Sequence, residues 1–510
     1  MSLALTIHRL LPGALLAAGL AGPARPAARA QIDPAANERV FFAFDDRSLP
    51  FQHGLRLQLV DFHLGAGEPD NIVLRPGPPG SPDAGGCYYY GSVIEVEGEF
   101  WMWYLGCPAP AHKGTEQVCV ARSRDGIHWQ RPNLGLVPFH GSRDNNLASL
   151  NGGPFYSDDP AVVLYEPDAA DPGRRFKMVF NAARYGMRLA VAFSPDGTHW
   201  QEPTGNPRGP WLEPSGVMKW HGAYYLCGHA RSTWTPNGDW TRVLDTYVSY
   251  DFEHWLPTPA LGFRRDSLPP RPVAVTGTVD GEQVHLGASL WNRGNVIVGF
   301  YGQWHGVPSN DRRLVGIDLG LVVSHDGLHY EEPVPDFRIV AAKENIYAWP
   351  RQAFIGAPAL AQGQGFANRN GQTLFWYGSW NSPADGVRLA RWDTDRLGYL
   401  QPFVPPQQHP NLISEPIATG GKSVTVALNL DGVSDLSRVK VSILDEQCRP
   451  LPGFEAADCS APARSGLKEV AGWGSRQTVT AAGPIRVRID FAGVRPEDLK
   501  LYAVYLMVGQ

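Results

Sequence analysis

A recurring S-x-D-G-x-x-W/Y segment constrains the fold of this chain more than any other feature of its sequence. The copies are Ser123–Trp129, Ser194–Trp200, a variant Ser249–Trp255, Ser324–Tyr330 and a degenerate Trp392–Tyr399. Their aspartates follow one another at intervals of 71, 55, 75 and 69 residues. Within a copy, Asp accepts backbone N–H groups of a turn, Gly takes a positive φ, and the aromatic ring packs back on the strands. Five units of this size predict a small sheet repeated radially, which is typical of a β-propeller.

Runs of aromatic and β-branched residues accompany each copy and predict its strands. The runs directly before the turns are Val118–Ser123, Leu189–Ser194, Thr246–Ser249, Leu319–Ser324 and Val387–Trp392. The hairpins predicted before those runs are Gly91–Val96 with Phe100–Leu105, Ala161–Tyr165 with Phe176–Phe180, Val217–Trp220 with Tyr224–Cys227, Val273–Thr278 with Gln283–Ala288, and Ala359–Ala361 with Thr373–Gly378. We expect Val40–Phe44 and Leu55–Phe62 to add strands that close the ring. The aspartates of the turns recur at equivalent outer positions, so we predict them to be structural. The histidines beside them share the period and are expected to pack the sheets.

Composition supports an all-β protein and excludes several other classes. The chain has 510 residues, 56 Gly and 45 Pro, with 11% aromatic and 19% charged residues. Intrinsic disorder needs few aromatics and many charges, and a coiled coil needs helix formers in place of turn formers. The net charge is −5 and no run of Lys or Arg occurs, so a nucleic-acid partner is not expected.

The first thirty residues have the pattern of an export signal. Leu10–Gly22 is apolar, and Ala28-Arg29-Ala30 gives the small residues that a signal peptidase recognises. Thirteen apolar residues are fewer than the roughly 20 that cross a bilayer. We therefore predict cleavage near Ala30 and a secreted or periplasmic protein without a membrane anchor.

The repeat stops after the proline-rich segment Gln401–Pro410. Beyond it, apolar and polar residues alternate as in strands with one solvent-exposed face. The segments with this pattern are Ser423–Asn429, Val439–Leu444, Ile485–Phe491 and Leu501–Met507. The prediction is thus an all-β chain with a five-bladed β-propeller over residues 31–405 and a small C-terminal β-sandwich over residues 411–510. Cys448 and Cys459 bracket a short loop of this second unit and could form a disulfide. No C-x-x-C spacing occurs, so a zinc site of that type is not predicted.

Residues just before the first strand of each unit are the candidates for chemistry, because active sites of propellers collect at the central funnel where those strands begin. The second unit has Ser157-Asp158-Asp159-Pro160 at this place, and the third has Glu213-Pro214. The fourth and fifth contribute Arg271 and Trp349-Pro350-Arg351. An acidic residue followed by proline, repeated around one ring, is unusual for a turn and indicates a function.

These motifs resemble those of the five-bladed propeller glycoside hydrolases, the β-fructosidase (family 32) and arabinanase/xylosidase (family 43) groups. Asp159-Pro160 is similar to the Asp-Pro pair that opens their second blade, and Glu213-Pro214 with Tyr224-Tyr225-Leu226 to the element that opens the third. The resemblance implies that Glu213 is the general acid and that Asp159 is a carboxylate that holds the sugar and tunes the acid. A trailing β-sandwich also resembles the fructosidase arrangement.

The first unit departs from that family pattern. Where those families carry an essential Asp, this chain reads Cys87-Tyr88-Tyr89-Tyr90-Gly91, with no carboxylate. Asp83 lies a few residues upstream and is our candidate for the missing group. Asp70 and Glu68 are weaker substitutes.

Glycoside hydrolysis gives these residues their expected roles. One protonated carboxyl donates a proton to the leaving oxygen, and one ionised carboxylate attacks or activates water. We predict Glu213, Asp159 and Asp83 as catalytic. The predicted substrate-binding residues are Asp158, Arg271, Trp291, Asn292, Trp304, His305, Trp349 and Arg351. No cofactor and no catalytic metal is predicted, although a structural divalent ion in the propeller tunnel stays open.

Three functions remain open from the sequence. The first is an exported hydrolase of an oligo- or polysaccharide. The second is a carbohydrate-binding propeller without catalysis, and the third is a phosphorolytic relative, for which Arg271 and Arg351 are the candidates to bind phosphate. Motifs of esterases, NTPases and metallopeptidases are absent from the sequence.

Overall fold

The structure, a computed structural model, describes residues 38–65, 70–109, 115–230, 233–234, 240–269, 281–306, 315–342, 359–379 and 386–509. These residues form β-strands joined by turns, with short 3-10 segments that include Pro172–Arg174, Ala183–Tyr185, Pro406–Gln408 and Pro496–Asp498. Within this part of the chain, no helix has the length and apolar character needed to cross a membrane.

Four strands precede the repeat: β1 Glu38–Phe42, β2 Phe51–His53, β3 Leu55–Leu59 and β4 Ile72–Leu74. Five antiparallel sheets follow in sequence order. The strands of the first two, with three short strands beside them, are β5 Gly86–Val96, β6 Glu99–Cys107, β7 Gln117–Ser123, β8 Ser149–Leu150, β9 Gly153–Pro154, β10 Val162–Tyr165, β11 Phe176–Asn181, β12 Leu189–Ser194 and β13 His199–Trp200. The third sheet, with a two-stranded ribbon, comprises β14 Leu212–Trp220, β15 Ala223–Ala230, β16 Thr233–Trp234, β17 Trp240–Thr241, β18 Leu244–Ser249 and β19 Ala260–Phe263. The fourth and fifth sheets comprise β20 Glu282–Asn292, β21 Ile297–Gly306, β22 Val315–Ser324, β23 Arg338–Val340, β24 Leu360–Arg369, β25 Gln372–Ser379 and β26 Val387–Asp393.

The first strands of the five sheets meet in a closed ring. β5 contacts β10, β10 contacts β14, β14 contacts β20, β20 contacts β24, and β24 pairs in parallel with β5. Two glutamine side chains of β24 join it to β20. Gln362 Nε2 donates to the carbonyls of His285 and Gly287 at 2.8 Å, and Gln364 Nε2 donates to the Leu290 carbonyl at 2.8 Å. We call the end where these inner strands begin the head and the opposite end the tail.

The repeated turns lock neighbouring sheets together. Asp196 Oδ1 accepts the backbone N–H groups of Thr198 and His199 at 2.9 Å, as the motif predicts. The carbonyl of Gly197 accepts the indole N–H of Trp103, in the preceding sheet, at 2.7 Å. A Cβ at Gly197 would lie 2.9 Å from that indole, and φ there is +77°. Glycine is therefore required both for space and for the backbone conformation. In the same way, the carbonyl of Gly126 accepts a hydrogen bond from the indole N–H of Trp376, in the fifth sheet, at 2.9 Å.

The histidines of the turns are exposed, so the expectation that they pack the sheets is wrong. Each one places Nδ1 against the Asp of its own turn, at 2.6–2.8 Å. The histidines recur at the same position of each turn because they pair with the turn aspartate, and not because they are buried.

Nine further strands complete the chain: β27 Gly398–Pro402, β28 Asn411–Ile413, β29 Val424–Asp431, β30 Ser437–Asp445, β31 Cys459–Ser460, β32 Gly466–Val470, β33 Gly472–Trp473, β34 Ile485–Gly493 and β35 Lys500–Val508. They form two main antiparallel sheets, β3-β27-β35-β29-β32 with β1 alongside, and β2-β28-β34-β30. These two sheets enclose one apolar core. All six cysteines are free thiols, so the disulfide between Cys448 and Cys459 is not formed.

The N-terminal strands depart from the expected arrangement. β1 pairs with β35, and β3 pairs with β27, so both join the C-terminal sheets instead of closing the ring. The closing strand is β4, which pairs with β26 at the edge of the fifth sheet. β1 has two apolar faces, which explains its position. Phe41 lies in the core of the C-terminal sheets, whereas Val40 and Phe42 pack with apolar residues of the fourth and fifth sheets.

Candidate active site at the head of the inner strands

Glu213 is a half-buried carboxylate near the start of β14. It lies directly opposite His229 of β15 in the antiparallel register, and a β-bulge follows between Pro214 and Gly216. The bulge bends the inner strand at the ring's head, a common device for aiming a side chain at a site.

His229 is an uncharged neighbour of this carboxylate. Its side chain is buried, and burial together with the positive charge of Arg242 lowers its pKa from 6.5 to about 3. A neutral imidazole donates or accepts a hydrogen bond but adds no charge at neutral pH. The indole of Trp211 stands edge-on to it, with ring centroids 6.0 Å apart.

Arg242 supplies the positive charge of the site, and the sequence analysis did not identify it. Its guanidinium carbon lies 3.9 Å above the ring of Trp304, and its backbone N–H donates to Gln283 Oε1 at 3.1 Å. Burial lowers its pKa, while the charge of Glu213 raises it. A single arginine before β18 does not stand out in the sequence, because its role depends on contacts with Trp304 and Gln283 of the fourth sheet.

Asp159 reaches the same region from the second sheet. Asn181 Nδ2, at the end of β11, donates to Asp159 Oδ2 at 3.3 Å and to the carbonyl of Leu212 at 3.0 Å. Leu212 directly precedes Glu213, so one buried amide connects the Asp159 carboxylate with the backbone next to Glu213. The sequence analysis placed both residues at strand heads but did not identify Asn181.

Asp158 has a local structural role. Its Oδ2 accepts the backbone N–H of Ala183 at 2.6 Å, which holds the start of the 3-10 segment Ala183–Tyr185. This contact accounts for the residue without a substrate, and the predicted sugar contact of Asp158 stays a prediction.

Asp83 is enclosed by residues of the first sheet and of the segment after it. It is fully buried, and its Oδ2 accepts Arg131 Nε and the Tyr104 hydroxyl, both at 2.7 Å. A Cβ at Gly106 would lie 2.6 Å from Cys119 Sγ and 3.1 Å from Asp83 Cβ, so glycine there permits this close packing. These contacts account for Asp83 without a substrate, and its role as the missing first-blade carboxylate stays a prediction. Asp70, a weaker substitute, forms a surface ion pair with Arg75 at 2.6 Å.

Four of the predicted sugar-binding residues have other surroundings. Trp291 and Asn292 lie at the tail of β20, where Trp291 stacks on Phe366 with ring centroids 5.1 Å apart. Trp304 is at the head but fully buried, and Arg242 covers one face of its ring. His305 is buried beside it. The full burial of Trp304 disfavours its predicted stacking on a sugar, and the predicted sugar contacts of Trp291, Asn292 and His305 stay predictions.

The remaining predicted site residues, Arg271, Trp349 and Arg351, and the weaker substitute Glu68, lie outside the described residues. Among the residues that are described, no group of three or more His, Cys, Asp or Glu side chains could hold a metal ion.

Asp245 is a second acid of the third sheet that sequence analysis missed. It belongs to β18 and is 4% exposed. Burial raises its pKa from 3.8 to about 6, against the opposing effect of a hydrogen bond from the Ala230 backbone. No cation among the described residues forms an ion pair with it.

No family model and no curated protein matches the chain. Solved structures resemble it at low identity. A glycosyl hydrolase from Bacteroides ovatus is 16% identical over 67% of this chain and 95% of its own, with a TM-score of 0.41. A thermostable family-43 glycoside hydrolase is 13% identical over 64% of this chain and 95% of its own (TM-score 0.40). The Bombyx mori GH32 beta-fructofuranosidase BmSUC1 is 11% identical over 87% and 94% (TM-score 0.35). The solved structures that the chain resembles thus include glycoside hydrolases of families 32 and 43.

Proposed function

We propose that this chain is an exported glycoside hydrolase of an oligo- or polysaccharide, built as a five-bladed β-propeller with a C-terminal β-sandwich. The observation that carries the proposal is the shared contact of Asn181 with Asp159 and with the residue before Glu213. Two carboxylates from neighbouring inner strands are brought to one end of the ring, and glycoside hydrolysis requires such a pair.

In this proposal Glu213 donates the proton to the leaving oxygen and Asp159 is the second carboxylate. Glu213 becomes an anion when it gives up its proton. Arg242 stabilises that anion electrostatically, since their charges interact and the guanidinium is held against Trp304. Neutral His229 adds no competing charge. The reaction uses carboxylates alone and needs no cofactor; the structural divalent ion that the sequence left open for the propeller tunnel has no part in it.

A carbohydrate-binding propeller without catalysis is the second candidate. The burial of Asp83 against Arg131 favours it, because Asp83 cannot then serve as the first-blade carboxylate. Phosphorolysis differs from both in requiring inorganic phosphate as the attacking group, so one assay separates all three functions.

The test uses the chain from residue 31 onwards and a panel of plant, algal and microbial glycans, with and without inorganic phosphate. We expect hydrolysis without phosphate. Glu213→Gln and Asp159→Asn should each lower kcat by at least about 100-fold, because each removes a group that acts in proton transfer or charge stabilisation. Asp196→Asn, in a repeated turn of the second sheet, is the matched control and should keep wild-type kcat.

Wild-type turnover in both site variants would reject the residue assignment. Binding without turnover by the wild-type protein would establish the binding module, and a sugar phosphate as product would establish phosphorolysis.

Arg242, as a positioning residue, is tested by the pH dependence of the rate. Arg242→Met should move the alkaline limb of the pH profile to higher pH, since the acid loses its neighbouring cation, and Arg242→Lys should restore it in part. N-terminal sequencing of the secreted protein should begin near Gln31.

A further inference from the structure

Tyr90 stands at the head of the first inner strand at the place that Asp159 has in the second. The segments Tyr90–Val93 and Asp159–Val162 each put their first residue three positions before the first valine of the strand. The two inner strands lie side by side here, because the backbone N–H of Ala161 donates to the Tyr90 carbonyl at 2.8 Å. Both in sequence and in the ring, Tyr90 is thus the first sheet's counterpart of Asp159.

The backbone of β5 is irregular at Tyr90. Its pairing with β6 shifts register between Tyr88 and Ser92. The third inner strand has a comparable bulge directly after Glu213. Bulges occur next to active sites, where they aim a side chain. The first and third sheets therefore share this device at the head of the ring.

The aromatic ring of Tyr90 is held by packing. It stacks on Tyr88 with centroids 6.0 Å apart, and it belongs to an apolar cluster that includes Leu286 of β20 and Ala361 of β24. The residue nevertheless keeps 8% of its surface exposed. A tyrosine with a packed ring and some exposed surface is suited to present its polar tip to a ligand.

Two other tyrosines of the first sheet use their hydroxyls within the protein. Tyr89 donates to the carbonyl of Gln364 at 3.1 Å, and Tyr104 donates to Asp83 at 2.7 Å. Each is only 1% exposed. Their contacts are structural, which distinguishes them from Tyr90 at the head of the ring.

Arg242 connects Tyr90 with the predicted general acid. Burial lowers the pKa of Arg242, while the charge of Glu213 and that of an ionised Tyr90 raise it. The two side chains, from the third and the first sheet, thus lie around one cation. An arginine has only hydrogen-bond donors, so a hydroxyl beside it can accept from the guanidinium but must donate its own hydrogen to another group.

We propose that Tyr90 contacts the substrate, with its hydroxyl donating a hydrogen bond to the sugar hydroxyl next to the anomeric carbon. Such bonds strengthen in the transition state of glycoside hydrolysis and so accelerate it. The proton transfers stay with Glu213 and Asp159, and Tyr90 keeps its proton throughout. This inference rests on the proposed function, because it adds a contact within the same site.

The test compares Tyr90→Phe, Glu213→Gln and the wild-type chain, each from residue 31 onwards, on two kinds of substrate. One kind is the glycan panel described above, and the other is the set of 4-nitrophenyl glycosides of the same sugars. Tyr90→Phe should lower kcat at least about tenfold on both kinds and change KM little, since the lost bond is strongest in the transition state. Glu213→Gln should be slow on the glycans and faster on the nitrophenyl glycosides, because nitrophenolate leaves without a proton.

Tyr165→Phe is the matched control. It removes a hydroxyl from a half-buried tyrosine at the tail of β10, whose ring stacks on Phe176 with centroids 4.5 Å apart. It should keep the wild-type kcat on both kinds of substrate.

A 2-deoxy nitrophenyl glycoside separates a substrate contact from a structural role. This analogue lacks the hydroxyl that Tyr90 is proposed to bind, so Tyr90→Phe and wild type should hydrolyse it at the same rate. Equal slowing of Tyr90→Phe on the glycoside and on its 2-deoxy analogue would show a distorted site and overturn the contact.

Wild-type kcat in Tyr90→Phe, together with slow glycan hydrolysis by Glu213→Gln, would reject the role of Tyr90 and leave the proposed function intact. A wild-type chain that hydrolyses none of these substrates would reject both.

Discussion

Asp83 and Glu213 occupy comparable places in two sheets of one ring, yet their surroundings differ in every respect. Each precedes or begins an inner strand at the head. Asp83 is fully buried, and its carboxylate accepts hydrogen bonds from Arg131, Tyr104 and Ser81. Glu213 is half-exposed beside a neutral histidine and an arginine held on Trp304. Position at a strand head therefore defines where a carboxylate lies, and packing defines whether a substrate can reach it.

Asp245 adds a third case, a buried carboxyl without an ion-pair partner in the described part of the chain. A comparison of the three acids distinguishes the effect of burial from the effect of an ion-pair partner. Asp83 is buried and paired, Asp245 is buried with one backbone hydrogen bond, and Glu213 is accessible with a nearby cation. Their effects on folding and on turnover should differ accordingly.

The largest effect on stability should come from breaking the Asp83–Arg131 pair. Asp83→Asn or Arg131→Met leaves one charge without its partner, and loss of one member of a buried pair costs about 3–5 kcal/mol of folding free energy. Urea unfolding at pH 7 measures it. Glu213→Gln should change the free energy of unfolding by less than about 1 kcal/mol, because an accessible carboxyl is replaced by its isostere. Equal losses in Asp83→Asn and Glu213→Gln would remove the distinction between the two sites.

Asp245→Asn should stabilise the protein at neutral pH. A folded-state pKa of about 6 against an ordinary 3.8 means that the folded state binds the proton more tightly. Stability from this group is present below pH 4 and falls as the pH rises from 4 to 6. Removing the charge should then add about 2–3 kcal/mol at pH 7.5 and nothing at pH 3.5. Unfolding at both pH values tests this, and a variant less stable than wild type at pH 7.5 would contradict the assignment.

The smallest effect concerns the turn carboxylates, which are paired but exposed. Hydrogen bonds from its turn, opposed by partial burial, lower the pKa of Asp196 from 3.8 to about 2. Its stabilising effect is therefore present above pH 4 and is lost as the pH falls from 4 towards 2. Because nearly half of the side chain is exposed, solvent screens the effect. Asp196→Asn should lower the melting temperature slightly at pH 7, and the difference from wild type should shrink at pH 3. A difference that grows in acid would show that another group dominates.

Sequence alone predicted the strands with good accuracy where a local pattern defined them. The runs before the repeated turns correspond to β7, β12, β18, β22 and β26, and the alternating C-terminal runs correspond to β29, β30, β34 and β35. For the fourth hairpin, Gln283–Ala288 belongs to β20, which pairs with β21, and its predicted partner Val273–Thr278 lies outside the described residues. Long apolar strands have no local signal for their partner.

The candidate site was predictable in part. Asp159 and Glu213 were found because proline follows each of them at the start of a strand. Asn181 and Arg242 were missed because each contacts a residue of a neighbouring sheet, and His229 was missed because its neighbour Glu213 lies on the adjacent strand. Trp304 was assigned to sugar binding because an aromatic residue looks the same in sequence whether its face is open or covered.

The sequence by itself determined the repeated turn, because a backbone that needs Asp as acceptor and Gly at positive φ depends on neighbours within four residues. It likewise determined which segments are strands, since alternation is a local property of the chain. The tertiary structure alone decided that β1 joins the C-terminal sheets, that Asp83 pairs with Arg131, and that Arg242 lies on the ring of Trp304 and interacts with the charge of Glu213. Burial, pairing and access to solvent are set by contacts between residues far apart in the chain, and no local pattern records them.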